Sequence, residues 1–99
     1  MRGRRHRLLV CYDIRDPKRL RQTHDVMLGY GDPLQYSVFV CELSATETAL
    51  LESDLRRVIR PSVDSVAFVD LGPAGGLADR RVRFLGPARR PAFARYRIV

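Results

Sequence analysis

Lysine is nearly missing from this chain: Lys18 is the one lysine among eighteen basic residues, and the rest are arginine. Only two cysteines, Cys11 and Cys41, and two histidines, His6 and His24, are present. That scarcity leaves no Cys–His or Ser–His–Asp arrangement and no metal-ligand spacing of either residue type. Both cysteines lie inside apolar runs, so reduced core thiols are expected. His24 falls in the middle of a helical stretch and His6 in a basic arm, where packed or solvated imidazoles are expected. No stretch approaches the ~20 apolar residues of a membrane span, and no signal-peptide pattern opens the chain. The expected location is therefore cytoplasmic, with no membrane partner.

Acidic residues are also missing from the C-terminal end, where none follows Asp79. The net charge of +7 is accordingly uneven. Residues 1–21 balance at +6, residues 22–79 at −6, and residues 80–99 at +7. A codon bias accounts for arginine over lysine but not for clustering at the two ends. Arginine presents phosphate with a planar fork of donors, so the basic ends suit nucleic acid bound through its backbone. Arg4 and Arg5 at one end and Arg89 and Arg90 at the other are the candidate contacts.

The run Leu8-Leu9-Val10-Cys11-Tyr12 has the length of one buried strand, bounded by Arg7 and Asp13. Asp13 therefore sits at a strand's C-terminal end, where site residues collect on mixed α and β scaffolds. A metal-binding or catalytic carboxylate fits there, and so does a plain acceptor of turn hydrogen bonds. Asp16-Pro17 follows as a helix start, with Asp as cap and Pro at the first helical position. The first helix is expected over Pro17–Leu28, burying Leu20, Thr23 or His24, and Met27, and ending where glycine near Gly29 supplies the cap conformation. A second strand is expected at Tyr36–Glu42. Ser44 and Glu47 form a capping box for a second helix, whose stripe of Leu51, Leu55, Val58 and Ile59 ends at Pro61. A third strand is expected at Ser65–Leu71, then a mobile glycine turn at 72–76, with strand candidates at Val82–Leu85 and Tyr96–Val99. The whole chain, 1–99, reads as one domain, with a basic arm at 1–7 and a looser tail from 72.

This order fits a ferredoxin-like α+β sandwich of βαββαβ type, an antiparallel sheet with two helices on one face. Leu8–Tyr12 and Val38–Cys41 do not alternate, so they are apolar on both faces. With no spare layer expected in 99 residues, the economical cover for the open face is a second copy of the chain, stacked sheet to sheet.

Taken together, Tyr12-Asp13-Ile14, Tyr30-Gly31, Gln35-Tyr36-Ser37-Val38-Phe39 and Asp64-Ser65-Val66 closely resemble the small CRISPR-associated adaptation protein, the Cas-two family. The match in order and spacing spans about residues 8 to 70. The resemblance implies the same fold and a homodimer whose C-terminal strand joins the partner's sheet edge. It also implies Asp13 as the catalytic residue and metal ligand, one Mg²⁺ being shared between the two Asp13 of a dimer. Mg²⁺ takes one or two protein carboxylates and fills its other positions with water and phosphate. By the same resemblance, Tyr12 and Phe39 stand near the cleft, and Arg19 or Arg21 contacts phosphate. The implied function is spacer acquisition, with the dimer bridging the CRISPR integrase on DNA, together with endonuclease or endoribonuclease activity. Nuclease-active members commonly carry Arg before the second motif, where Pro33-Leu34 precedes Gln35 here. A toxin-type mRNA interferase on the same fold is the alternative.

Overall fold

The computed structural model describes residues 4–87, together with the backbone of 97–98. The first strand, β1 (His6–Asp13), starts two residues before Leu8 because His6 and Arg7 already pair across the sheet. Helix α1 (Pro17–Leu28) begins where the sequence places it: the Asp16 carboxylate accepts from Arg19 N–H at 2.9 Å, and Pro17 occupies the first turn. Its end corrects the expectation. Gly29 caps it in a right-handed conformation with φ −80°, so no left-handed glycine is used there. Thr23, not His24, is the fully buried choice between those two, alongside Met27.

A strand that was not expected, β2 (Gly31–Gln35), forms a hairpin with β3 (Val38–Leu43), which is the strand expected at Tyr36–Glu42 and starts two residues later because Tyr36 and Ser37 make the turn. Gly31-Asp32-Pro33 hides β2, since all three residue types are poor strand formers. Proline is tolerated because β2 is an edge strand, and the register slips between Pro33 and Gln35. Gly31 is needed for space: a Cβ there would run into the Val40 carbonyl oxygen and come within 2.6 Å of Cys41 Sγ. Helix α2 (Ala45–Arg56) carries the capping box, with Ser44 Oγ accepting from Glu47 N–H and Glu47 accepting from Ser44 N–H. It ends before Pro61, so Val58 and Ile59 lie beyond the helix, and Ile59 reaches the core from the following turn.

Strand β4 (Ser65–Pro73) completes an antiparallel sheet of order β2-β3-β1-β4, the ferredoxin-like arrangement. The period-2 pleat assigns each face. Leu8, Val10, Tyr12, Phe39, Cys41 and Leu43 join Met27, Leu51 and Leu55 from the helices in the main core. Arg7, Leu9, Cys11, Asp13, Val38 and Val40 therefore point to the other face.

That second face is not left wholly open. Gly72 near the end of β4 and Gly75 just after it both sit at positive φ, and the chain turns there into a short helix α3 (Gly76–Arg80) that was not expected. The turn is tied by Ala74 N–H to the Arg5 carbonyl at 2.9 Å and by Gly72 N–H to Asp70 Oδ1 at 2.7 Å. Val82 and Phe84 then lie with Leu9, Leu34, Val40 and Leu71 in a second apolar cluster. Strand β5 (Arg83–Phe84) pairs in parallel with β6 (Arg97–Ile98) of the same chain. The expectation that no spare layer exists is thus corrected: residues after β4 cover part of the face. Ala67 and Val69 remain exposed on the rest of it, with Cys11 and Val38 half-buried.

Gly31→Ala should cost about 1–3 kcal/mol, because the clash is with backbone that cannot move aside. Gly76→Ala, with open space around its Cβ, should be neutral or slightly stabilising. Chemical denaturation of both variants checks the contrast.

Candidate nucleic-acid interface

The pleat separates Tyr12 from Asp13 at the end of β1. Tyr12 turns toward the helices, while Asp13 lies on the partly covered face, opposite Ser65 of β4. The Asp13 side chain is exposed, and no described residue hydrogen-bonds its carboxylate. The turn that follows is held by Asp16 instead, through the α1 cap. Among the described residues no group of three or more His, Cys, Asp or Glu side chains is placed to hold an ion. One chain therefore offers a single open carboxylate at this strand end.

The two arginines of α1 differ sharply in availability. Arg19 is spent on an internal ion pair: Nε donates to Asp64 Oδ2 at 2.7 Å and Nη2 to Oδ1 at 3.2 Å. The Asp64 side chain is 1 % exposed, and Oδ2 also accepts Arg60 N–H at 2.8 Å. The Arg19 hydrogen bond, followed by that of Arg60, holds the Asp64 carboxyl below its ordinary value, and Asp64 in turn raises Arg19. Asp16 adds a second carboxylate 3.7 Å from Arg19 Nη1. Arg21 is exposed and unpaired among the described residues, as are Arg15 and Lys18 at the start of the same helix. Arg15 and Lys18 escaped the sequence reading because nothing in their spacing separates them from the other basic residues.

Arg21 borders a cleft of about 260 Å³ with Tyr12, Pro17, Leu20, His24 and Tyr36. Burial, with help from Tyr36, pushes the Tyr12 hydroxyl above its ordinary value. Phe39, expected near this cleft, is wholly buried, 6.2 Å from the Tyr12 ring and 5.3 Å from the His24 ring. It supports the wall without lining the space. His24 and Tyr36 were not foreseen as site residues. The spacing Pro17, Leu20, Arg21, His24, one stripe of α1, was the signal available.

At the N-terminal end, Arg4 is exposed, whereas Arg5 is half-buried and pairs with Glu47 Oε1 at 2.9 Å and the Glu42 carbonyl at 2.9 Å. Arg7 is 5 % exposed, with Glu42 at 3.2 Å and Asp79 at 3.0 Å. Arg89 and Arg90 lie outside the described residues. Both cysteines are free, and they face opposite sides of the sheet; burial and then Asp32 push the Cys41 thiol up to about 12.

An antiparallel ferredoxin-like sheet, an open carboxylate at the end of its first strand and unpaired cations around the start of the next helix define a class of small α+β proteins. Comparison with known proteins narrows the class. The family model described as CRISPR associated protein Cas2 matches residues 6–75. A Rhodospirillum rubrum protein named CRISPR-associated endoribonuclease Cas2 1 is 43% identical over 83 residues, covering 84% of this chain and 80% of that protein. A CRISPR-associated endoribonuclease Cas2 of Geobacter sulfurreducens is 38% identical over 69 residues, covering 70% of this chain and 73% of that protein. The crystal structure of Streptococcus pyogenes Cas2 at pH 6.5 superposes with a TM-score of 0.69 at 33% identity, covering 81% of this chain and 99% of that one. The chain belongs to the CRISPR associated protein Cas2 family. Among the described residues no helix is long and apolar enough to cross a membrane.

The Arg19–Asp64 pair makes a pH prediction. An unfolded aspartate titrates near ~3.9, and Asp64 is held below that in the fold, so its stabilisation is complete above that pH. It is lost as pH falls through the depressed folded value. Asp64→Asn should therefore melt below wild type at neutral pH, and the gap should close under acid conditions. Thermal melts across the acid range test this, and a gap that stays constant would disprove the linkage.

Proposed function

We propose that this protein serves CRISPR adaptation as a symmetric homodimer that binds nucleic acid through phosphates and bridges copies of the CRISPR integrase. We infer that any cleavage it performs uses the paired Asp13 carboxylates. The observation carrying this reading is the placement of Asp13. It stands exposed on the sheet face, at the end that α3 and β5 leave uncovered. A second copy stacked there buries Val69, Ala67 and the half-buried Cys11 and Val38, and brings one Asp13 from each chain toward the two-fold axis. The toxin-type alternative gives way to the family match.

The donor set fits a hard cation. One open carboxylate per chain, doubled by the dimer, is what Mg²⁺ takes from protein when water and phosphate fill its remaining positions. Such an ion, when bound, supplies Lewis-acid polarisation of a phosphodiester and a more acidic water. The chain's own contribution is to hold Asp13 at the end of β1, where it pairs with Ser65 of β4. Arg15, Lys18 and Arg21 offer the neighbouring phosphate contacts. Arg19 stays with Asp64 and steadies the start of α1. Pro33-Leu34 in the edge strand β2 leaves no arginine at those positions to stabilise charge developing at the phosphorus, which favours binding over cutting as the main task.

In sedimentation, the protein should run at twice the chain mass of 11.3 kDa. Binding to duplex DNA should show a log–log salt slope of about −5 for roughly six phosphates, and each cation removed from Arg15, Lys18 and Arg21 should flatten it by about 0.9. Asp13→Asn should abolish Mg²⁺-dependent cleavage of RNA or DNA and leave dimer and binding intact. Cleavage persisting in that variant would overturn the role of Asp13. A well-folded monomer would overturn the shared site.

A further inference from the structure

We infer that the cleft between α1 and the β2–β3 turn is a pocket for one unpaired nucleotide, separate from the backbone contacts at Asp13. The inference rests on the reading that the protein binds nucleic acid through phosphates and adds a base-binding subsite to it. The lining is chemically mixed in the way a nucleotide requires. Tyr36 is 75 % exposed and borders the cleft with an unburied ring, and an aromatic face is a stacking platform for any base. Arg21, one helical turn from Pro17, supplies a cation free of carboxylate partners among the described residues, suited to the phosphate of the same nucleotide. Leu20 and Pro17 give the apolar wall.

Beneath the cleft the Tyr12 hydroxyl oxygen lies 3.4 Å from the Tyr36 carbonyl oxygen and 3.2 Å from His24 Nδ1. The His24 ring gives the lining a polar nitrogen, and every nucleobase carries both N–H donors and acceptor atoms that can meet one. The volume of about 260 Å³ falls below the ~300–1,000 Å³ typical of pockets that enclose drug-sized ligands, which limits the occupant to one flat ring system. Tyr12 and Asp13 are consecutive, so the pocket and the open carboxylate lie at the same strand end, on opposite sides of the sheet. A strand running over that end presents its backbone to one side and a single splayed base to the other. Paired bases cannot enter.

The experiment is fluorescence anisotropy with a labelled single-stranded DNA of about 12 nucleotides, within the site size of one small domain, the RNA of the same sequence and the blunt DNA duplex. Tyr36→Ala should weaken single-strand binding about tenfold, the loss expected for one stacked base, while the duplex arm stays unchanged. Tyr36→Phe should restore wild-type affinity, because the ring and the backbone carbonyl are both kept. Arg21→Ala should weaken all arms. A larger Tyr36→Ala effect on one single strand than on the other assigns the pocket to RNA or to DNA. Wild-type affinity of Tyr36→Ala for both single strands overturns the pocket and leaves phosphate binding standing, as does an equal loss on single strand and duplex. Absence of binding to any of the three by wild type overturns both readings.

Discussion

Strand β1 is hydrogen-bonded on both edges and apolar on both faces, and nearly every other element is placed by the need to cover it. β3 and β4 satisfy its backbone groups, which buried far from water would otherwise cost free energy. α1 and α2 cover the face of Val10 and Tyr12, and Val82 and Phe84 cover Leu9 on the other. Only the end of the strand escapes. Asp13 sits there because a carboxylate is tolerated where the two covering layers stop and water can reach it.

The segregated charge of the sequence is partly paired within the fold. Part of the basic N-terminal region neutralises the acidic middle: Arg5 meets Glu47, Arg7 meets Glu42 and Asp79, and Arg19 meets Asp64. Arg7 is the most constrained of these, since a buried guanidinium is tolerated only when paired. The N-terminal cations left without a carboxylate partner among the described residues are Arg4, Arg15, Lys18 and Arg21. A count of arginines therefore overstates the free positive charge at the N-terminal end, because tertiary pairing consumes part of it.

Much of the fold was legible because local signals agreed. Asp16-Pro17 and the Ser44–Glu47 box mark helix starts by side-chain chemistry that acts within one turn. β2 was not legible, because an edge strand with Gly31 and Pro33 is held by its neighbour and not by its own propensity. α3 was hidden for a related reason. Its five residues have no periodicity of their own, and their place follows from the apolar surface around Leu9 and Val40 and from the Arg7–Asp79 pair. Asp13 was legible from its position after an apolar run. The difference between Arg19 and Arg21 was not, since it depends on Asp64, 45 residues away in sequence.

The partial cover also bears on how two copies would meet. Stacking across an entirely open face would leave the register of two sheets to weak apolar contacts, and several offsets would be close in energy. Val82 and Phe84 lie over Leu9, Leu34, Val40 and Leu71, while Ala67 and Val69 of β4 and Asp13 of β1 stay exposed, so a second copy in the proposed dimer would stack on the β4 side and the Asp13 end. The Arg7–Asp79 pair keeps that cover in place, because separating it would leave the buried Arg7 with one fewer carboxylate partner. Arg7, 5 % exposed, and Asp79 of α3 thus tie the partial cover to the opposite end of β1 from Asp13.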